Sequence, residues 1–451
     1  MRLKLTIVFL FAFSAHAHGN FKFVNGQWFD GTRFVKKTMY SVDNVFRSTF
    51  EVDGETRTID LGGRYVVPPF ADAHNHVFAD GANVEQQLAR YLRAGIFYVK
   101  NPNSSITGTM HIRAQLNKPE TVDVLYSIGG LTSTGGHPKQ IYDRYPDMAD
   151  NAYFEIDSLE EFERKWPKIE AGKPDFIKLY LDGSRGLEPR LFAQLVERVH
   201  RKGLTATVHV TSAVDFHLAV AAGADEITHL PLEPIDPADA ELAAQKHITV
   251  VTTTLSHRPT PGTPPHRENL ALLKRAGVNV LLGVDSDRTV IDEVENVRAF
   301  GVYSDLELLR MLTASLFPKR KIGKLEDGYE ASFLALDANP LEDFGAIRRI
   351  ANRVKQGHVL EVAPEKRTVE QNLNQLGYTL LNQGKTDEAI AIFALNAKEF
   401  PKSSNVWDSL AEAYVHAGQK EKAIEHYKKS LELNPHNKNA ADMLQKLASH
   451  P

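Results

Sequence analysis

Two histidines one residue apart, His74 and His76, follow the run Val66-Val67-Pro68-Pro69-Phe70-Ala71-Asp72-Ala73. An apolar pair running into prolines and then His-x-His reads as a buried strand leaving a turn. Period-two alternation puts both imidazoles on one face, converging on one point. That arrangement suits a divalent ion, for which imidazole is the usual ligand; the competing explanation is chance in a chain holding 18 His. With no Cys there is no thiolate, disulfide or lipid-attachment thiol, so any metal is held by nitrogen and oxygen. Further along, Lys178, His209, His229 and Asp285 each stand at the end of an apolar run. Taken singly, Lys178 fits a surface lysine on an edge strand, His209 and His229 fit satisfied core histidines, and Asp285 fits a turn cap. Placement at one mouth is what separates the readings.

The elements that would place them alternate between strand-like and helical stretches from about Val66 to Ser315, the pattern of a parallel α/β sheet. Eight candidate strands run over Val66–Asp72, Ile96–Lys100, Val122–Ser127, Phe176–Leu181, Thr205–Val210, Glu226–His229, Thr249–Thr254 and Val278–Val284. Ser158-Leu159-Glu160-Glu161 reads as a capping box, and Asp236-Pro237 puts Pro at a first helical position. Eight strand–helix units in this length favour a (β/α)₈ TIM-like barrel, taken over residues 66–324. In a barrel, catalytic residues project from the C-terminal strand ends, where all six candidates fall. Two long connections, Gly129–Ile156 and Ser256–Pro265, then belong at the mouth. On either side, residues 20–65 and 325–362 read as short strands with turns at Asn25-Gly26, Asp30-Gly31 and Asp53-Gly54, two halves of a split β-sandwich that should pair with each other.

This residue set resembles the amidohydrolase superfamily, whose motif Pro68-Pro69-Phe70-Ala71-Asp72-Ala73-His74-Asn75-His76 closely matches; the resemblance covers about residues 20–362. It implies a binuclear, carboxylated-lysine site. His74 and His76 would hold the first ion, His209 and His229 the second, a CO₂-carboxylated Lys178 would bridge them, and Asp285 would ligate the first. Ala331-Ser332-Phe333 departs from the Ala-Asp-Leu common in members, within the sandwich. The chemistry agrees: an ammonium cannot ligate a cation, whereas a carbamate offers two oxygens to two ions. Two divalent ions about 3.5–4 Å apart, zinc by the ligand types, can share a hydroxide that attacks a carbonyl while Asp285 moves its proton to the leaving amine. With Lys178 unmodified, a mononuclear site is the fallback.

Thr132-Ser133-Thr134-Gly135-Gly136-His137-Pro138 follows the third strand. Its glycines let backbone approach a ligand, and His137 can donate to a substrate carbonyl or carboxylate, or be a turn histidine. Gly-Gly-His resembles a segment of peptidase-like amidohydrolases such as prolidases. Tyr180 and Arg185 are further substrate-binding candidates, Arg185 suited to a carboxylate; His257 and Arg258 lie on the Pro-rich loop. The reading is a metal-dependent hydrolase of an amide bond in a dipeptide or N-acyl amino acid. The alternatives are a cyclic amide, lactone or organophosphate hydrolase using the same site, and a catalytically inactive adaptor acting through the C-terminal tail.

Residues 1–17 open with Arg2 and Lys4, continue through the apolar run Leu5–Phe13 and end on Ala15-His16-Ala17, a signal-peptide pattern implying export across the inner membrane to the periplasm, with no membrane contact after cleavage. A net charge of −4 gives no basic field for nucleic acid. From residue 369 to 451 the chain turns helical and repeats at 34 residues, pairing Leu376 with Leu410, Gly384 with Gly418, Ala389 with Ala423, Phe393 with Tyr427 and Pro401 with Pro435. This resembles two tetratricopeptide repeats and a final helix, a surface for a protein partner or self-association. Asn396 and Ser430 replace the usual Ala, which predicts looser helix packing there.

Overall fold

The computed structural model describes residues 19–79, 83–143, 152–182, 185–256, 265–362, 369–435 and 437–449. The leader over residues 1–17 lies outside these, as do His257 and Arg258. The chain divides into two compact units, Met1–Ala363 and Pro364–Pro451.

In the first unit, strand Phe21–Phe29 turns at Asp30-Gly31 and pairs antiparallel with Phe34–Val42. Asn25-Gly26, expected to be a second hairpin turn, is instead a bulge inside the first strand, with Asn25 at φ 56 and the register shifting between Phe23 and Gly26. A Cβ on Gly26 would stand 2.6 Å from Trp28 Nε1 and 2.8 Å from Leu61 Cδ1, so the glycine makes room for the core. The chain reverses again at Asp43-Asn44, φ 49 and 65, into Val45–Arg47, which pairs antiparallel with the second strand.

Phe333–Leu336 pairs antiparallel with Tyr65–Val67, setting Leu334 opposite Val67, so both flanks of the barrel join one eight-stranded sheet. Its core rings are Phe23, Trp28 and Phe333, with Phe23 and Trp28 centred 4.9 and 5.2 Å from Phe333. Ser332, at the departure from Ala-Asp-Leu, donates to Glu330 Oε1 at 2.7 Å and accepts Gln356 N at 2.8 Å.

The expected strand Val66–Asp72 is two strands. Tyr65–Val67 belongs to the sheet and Phe70–Asp72 opens the barrel, because Pro68-Pro69 between them has no N–H to give either ladder. The barrel continues through Ile96–Ser104, Asp123–Ile128, Ile177–Tyr180, Ala206–His209, Glu226–Thr228, Thr249–Val251 and Asn279–Leu281. Ala73 N donates to Leu282 O at 2.8 Å and closes the eighth strand on the first. Gly129, at φ 69, bends the chain after Ile128 so that Gly130–Thr132 resumes beside the fourth strand, and Tyr153–Glu155 pairs with that segment in turn. Part of the connection expected at the mouth is therefore barrel wall.

Inside the barrel, Lys100 and Glu226 pair at 2.7 Å; Lys355 and Arg320 meet Asp123 at 2.7 and 2.6 Å where barrel and sheet join. Helix Leu159–Ala171 is capped by Ser158, which accepts Glu161 N, and Pro237 opens helix Pro237–Gln245.

Among the described residues the second unit forms five helices, Val369–Asn382, Thr386–Glu399, Ser404–His416, Lys420–Leu433 and Lys438–Ser449. The looser packing expected at Asn396 and Ser430 is not found. Both are fully buried, and each bonds to a carbonyl 26 residues earlier, Asn396 Nδ2 to Glu370 O at 3.0 Å and Ser430 Oγ to Ser404 O at 2.9 Å. The polar groups tie neighbouring helices together where the usual Ala would only pack. No helix among the described residues is long and apolar enough to cross a membrane.

Candidate metal centre

The close approach of the first and eighth strands builds one half of the site. Val284 N and Asp285 N both donate to His74 O, at 3.1 and 2.9 Å. A Cβ on Gly283 would stand 2.6 Å from His74 Cβ and 2.8 Å from His74 N, so this approach requires glycine. Asp72 braces the junction, its Oδ1 accepting His74 N at 3.2 Å and Val284 N at 3.3 Å. The result is convergence on one carboxylate: His74 Nε2 and His76 Nε2 lie 3.6 and 3.3 Å from Asp285 Oδ1, and His229 Nδ1 lies 4.0 Å from Oδ2. His74 is buried, while 42 % of the His76 side chain stays open to solvent.

The fifth and sixth strands supply the other half. His209 closes its strand, His229 follows Thr228 directly, and His209 Nδ1 faces His229 Nε2 at 2.9 Å. Lys178, 1 % exposed, points its Nζ to Thr228 Oγ1. Burial pushes the Lys178 amine down to about 7, opposed by the carboxylates of Asp285 and Glu226.

The wall beside His209 is aromatic. His137 stacks on His209 with ring centres 4.7 Å apart, and Tyr180 lies 5.2 Å from His137 and 5.5 Å from His209. His137 Nδ1 is 2.7 Å from Gln140 Nε2 and 3.6 Å from Asp182 Oδ2; burial pushes this imidazole down to about 4 against the pull of Asp182. Burial also keeps the Tyr180 phenol neutral. Arg185 is not brought in: it is exposed, its backbone carbonyl accepts Ser133 Oγ at 2.5 Å, and no contact among the described residues joins its guanidinium to the cluster.

Two residues that sequence reasoning passed over stand behind His229. Thr253 Oγ1 is 2.6 Å from His229 Nδ1, and Thr253 sits at φ 69, a left-handed conformation that costs a β-branched residue on the order of 1–3 kcal/mol. The buried carboxylate of Glu293 holds the next turn, accepting Thr254 N at 2.7 Å, Thr254 Oγ1 at 2.9 Å and Leu255 N at 3.0 Å. A signal was present: Glu293 is an acid on the apolar face of its helix, between Val290 and Val294.

The amidohydrolase family model matches residues 65–360, more than half of the chain. The chain belongs to the amidohydrolase family. As such it is a hydrolase acting on carbon–nitrogen bonds. Tetratricopeptide repeat models match residues 370–395 and 404–437. No curated protein matches. Among solved structures, this amidohydrolase shares its fold with the A. niger ochratoxinase (TM-score 0.63, 18 % identity, 76 % of this chain and 95 % of that one). It shares it also with a Xaa-Pro dipeptidase with bound methionine (0.60, 16 %, 76 % and 100 %) and with phenylurea hydrolase B (0.60, 17 %, 77 % and 99 %).

The amidohydrolase donor set fits a divalent ion. His74, His229 and Asp285 offer ligand atoms all within 4.8 Å of one another, with His76 and His209 at the edges of that group. Imidazole and carboxylate suit zinc and its neighbours.

Proposed function

We propose that this chain is a metal-dependent hydrolase of an amide bond in a dipeptide or N-acyl amino acid. The observation that carries the reading is the position of the Asp285 carboxylate between His74, His76 and His229, with His137 stacked on His209, the neighbour of His229. His74, His76 and Asp285 would hold one ion, and His209 and His229 a second. Lys178 would bridge them as a carbamate, formed when the neutral amine attacks CO₂ and releases a proton; a buried lysine with pKa near 7 supplies that neutral amine at ordinary pH. Two zinc ions bound there would polarise the scissile carbonyl and make water a nucleophile near neutral pH. Asp285 takes the proton lost by the attacking water and delivers it to the departing amine. His137 donates to the carbonyl oxygen or to a substrate carboxylate, and Tyr180 packs against it as a neutral phenol.

A second reading, hydrolysis of a cyclic amide, lactone or organophosphate by the same site, is favoured by one observation: Arg185, the candidate partner for a substrate carboxylate, is exposed and meets the Ser133 side chain through its backbone carbonyl. The test is a hydrolysis screen on the zinc-loaded protein with dipeptides, N-acyl amino acids and matched amides lacking the carboxylate. Preference for carboxylate-bearing substrates supports the first reading, and indifference to the carboxylate supports the second. For location, the leader implies cleavage after Ala17 and export, so the mature protein should begin at His18; a mature protein retaining Met1 removes that proposal. The tetratricopeptide unit would engage a protein partner or a second copy of the chain.

A further inference from the structure

We infer that Thr253 and Glu293 are positioning residues for His229, fixing which ring nitrogen carries the proton and where the ring points. The inference rests on the metal-site reading above, because the ion is what requires a lone pair on Nε2.

The argument starts from the two nitrogens of one ring. His229 Nε2 faces His209 Nδ1 at 2.9 Å across the site, so Nε2 is the atom that must present a lone pair to an ion held there. A neutral imidazole then carries its proton on Nδ1, and that proton needs an acceptor. Thr253 Oγ1, at 2.6 Å from Nδ1, is in place to accept it; Asp285 Oδ2, at 4.0 Å, is beyond hydrogen-bond reach. An outer partner of this kind orients a ligating ring and raises its basicity.

The hydroxyl is held there at a cost. Thr253 is fully buried and sits at φ 69, where a β-branched residue is rarely found. A strained residue persists only where its surroundings over-determine it, and here the restraint is visible. Glu293, also fully buried, reaches from helix Val290–Ala299 and takes three hydrogen bonds from Thr254 and Leu255. Asn296, three residues further along the same helix, donates its Nδ2 to Thr254 Oγ1 at 2.8 Å. The restraint thus passes from helix to turn by hydrogen bonds, from Thr254 to Thr253 along the backbone, and from the Thr253 hydroxyl to the imidazole. A left-handed turn needed only for chain reversal would favour Gly or Asn at this position rather than Thr.

The test compares Thr253→Val, which keeps shape and branching but loses the hydroxyl, with Thr253→Ser, which keeps the hydroxyl. The ring tautomer of His229 is read by ¹H–¹⁵N spectra of histidine-labelled, metal-free protein, and zinc affinity by competition with a chelator. Wild type and Thr253→Ser should show the proton on Nδ1, and Thr253→Val should lose it. Affinity for one zinc ion should fall roughly 10–100-fold in Thr253→Val and stay near wild type in Thr253→Ser. Glu293→Gln, whose amide nitrogen cannot accept the bonds its carboxylate oxygen takes, should move both readouts in the same direction. A valine protein whose proton stays on Nδ1 overturns the inference, as does a serine protein altered as much as the valine one. Should wild type bind no zinc, the proposed function falls, and the tautomer still decides this inference.

Discussion

Asp285 Oδ1 lies 3.3 Å from His76 Nε2, although the two side chains come from opposite ends of the barrel sequence. Closure of the eighth strand on the first is what brings them together. Because Asp285 would both ligate an ion and carry the proton, its loss should act on chemistry more than on substrate binding. Asp285→Asn is expected to cut kcat by at least ~10² while much of the metal stays. Turnover near wild type, measured beside metal content, would take Asp285 out of the mechanism.

Lys178 is buried with Nζ directed to Thr228 Oγ1, so it has no solvated role to fall back on. Elemental analysis of Lys178→Ala should find at least one ion fewer per chain than in wild type grown with ample zinc and bicarbonate. A wild-type protein holding one ion or none under those conditions defeats the binuclear model.

Gly283 has no room for a methyl group, since a Cβ there would meet His74 Cβ at 2.6 Å and Val251 Cγ1 at 2.7 Å. Gly283→Ala should lower unfolding stability by roughly 1–3 kcal/mol and weaken metal binding, because His74 and its backbone must shift. A variant that keeps both its melting temperature and its metal would show that strands one and eight can separate freely.

His266 is buried, and burial pushes its imidazole down to about 4 from the usual 6.5. Its folded pKa is depressed, so its contribution to stability is whole above about pH 6.5. It is lost as pH falls towards 4, where the unfolded chain binds a proton that the folded chain refuses; the loss is on the order of 3 kcal/mol at most. Denaturant unfolding of wild type and His266→Leu at pH 7 and pH 4.5 checks this. The acid loss should be smaller in the variant, and equal losses would contradict the sign.

The helical tail contributes none of the site residues, and the chain separates into two compact units near Pro364. Truncation after Lys366 should leave kcat on small substrates within about 2-fold, and cost stability or self-association instead, since about three repeats are usually needed for independent stability. Whether the tail folds by itself is tested by the isolated segment 368–451. A sharp melting transition from a stable monomer would make the tail a free module.

The sequence by itself was enough for the barrel, the helical repeat and the histidines and aspartate that gather at the strand ends, because each rests on a local signal. Strand ends are marked by apolar runs, and the repeat by a fixed 34-residue period; His-x-His needs no distant partner to be read. Local signals also misled where one dipeptide serves two geometries. Asn25-Gly26 reads as a hairpin turn, but only the packing of Trp28 and Leu61 around Gly26 shows that the chain bulges and runs on. In the same way Pro68-Pro69 was visible, yet the partner Phe333–Leu336 decided that the chain changes sheet there.

What only the tertiary structure decided is the set of contacts between residues far apart in the chain. No spacing rule links His229 to Thr253, or Thr254 to Glu293 39 residues on, and a threonine in a left-handed turn runs against its own propensity. Arg185 shows the converse. Guanidinium chemistry suited it to a substrate carboxylate, but the fold uses its backbone carbonyl to hold Ser133 and leaves the residue exposed. Residue type states what a side chain can do; the closure of the strands and the burial that follows decide which atom it faces.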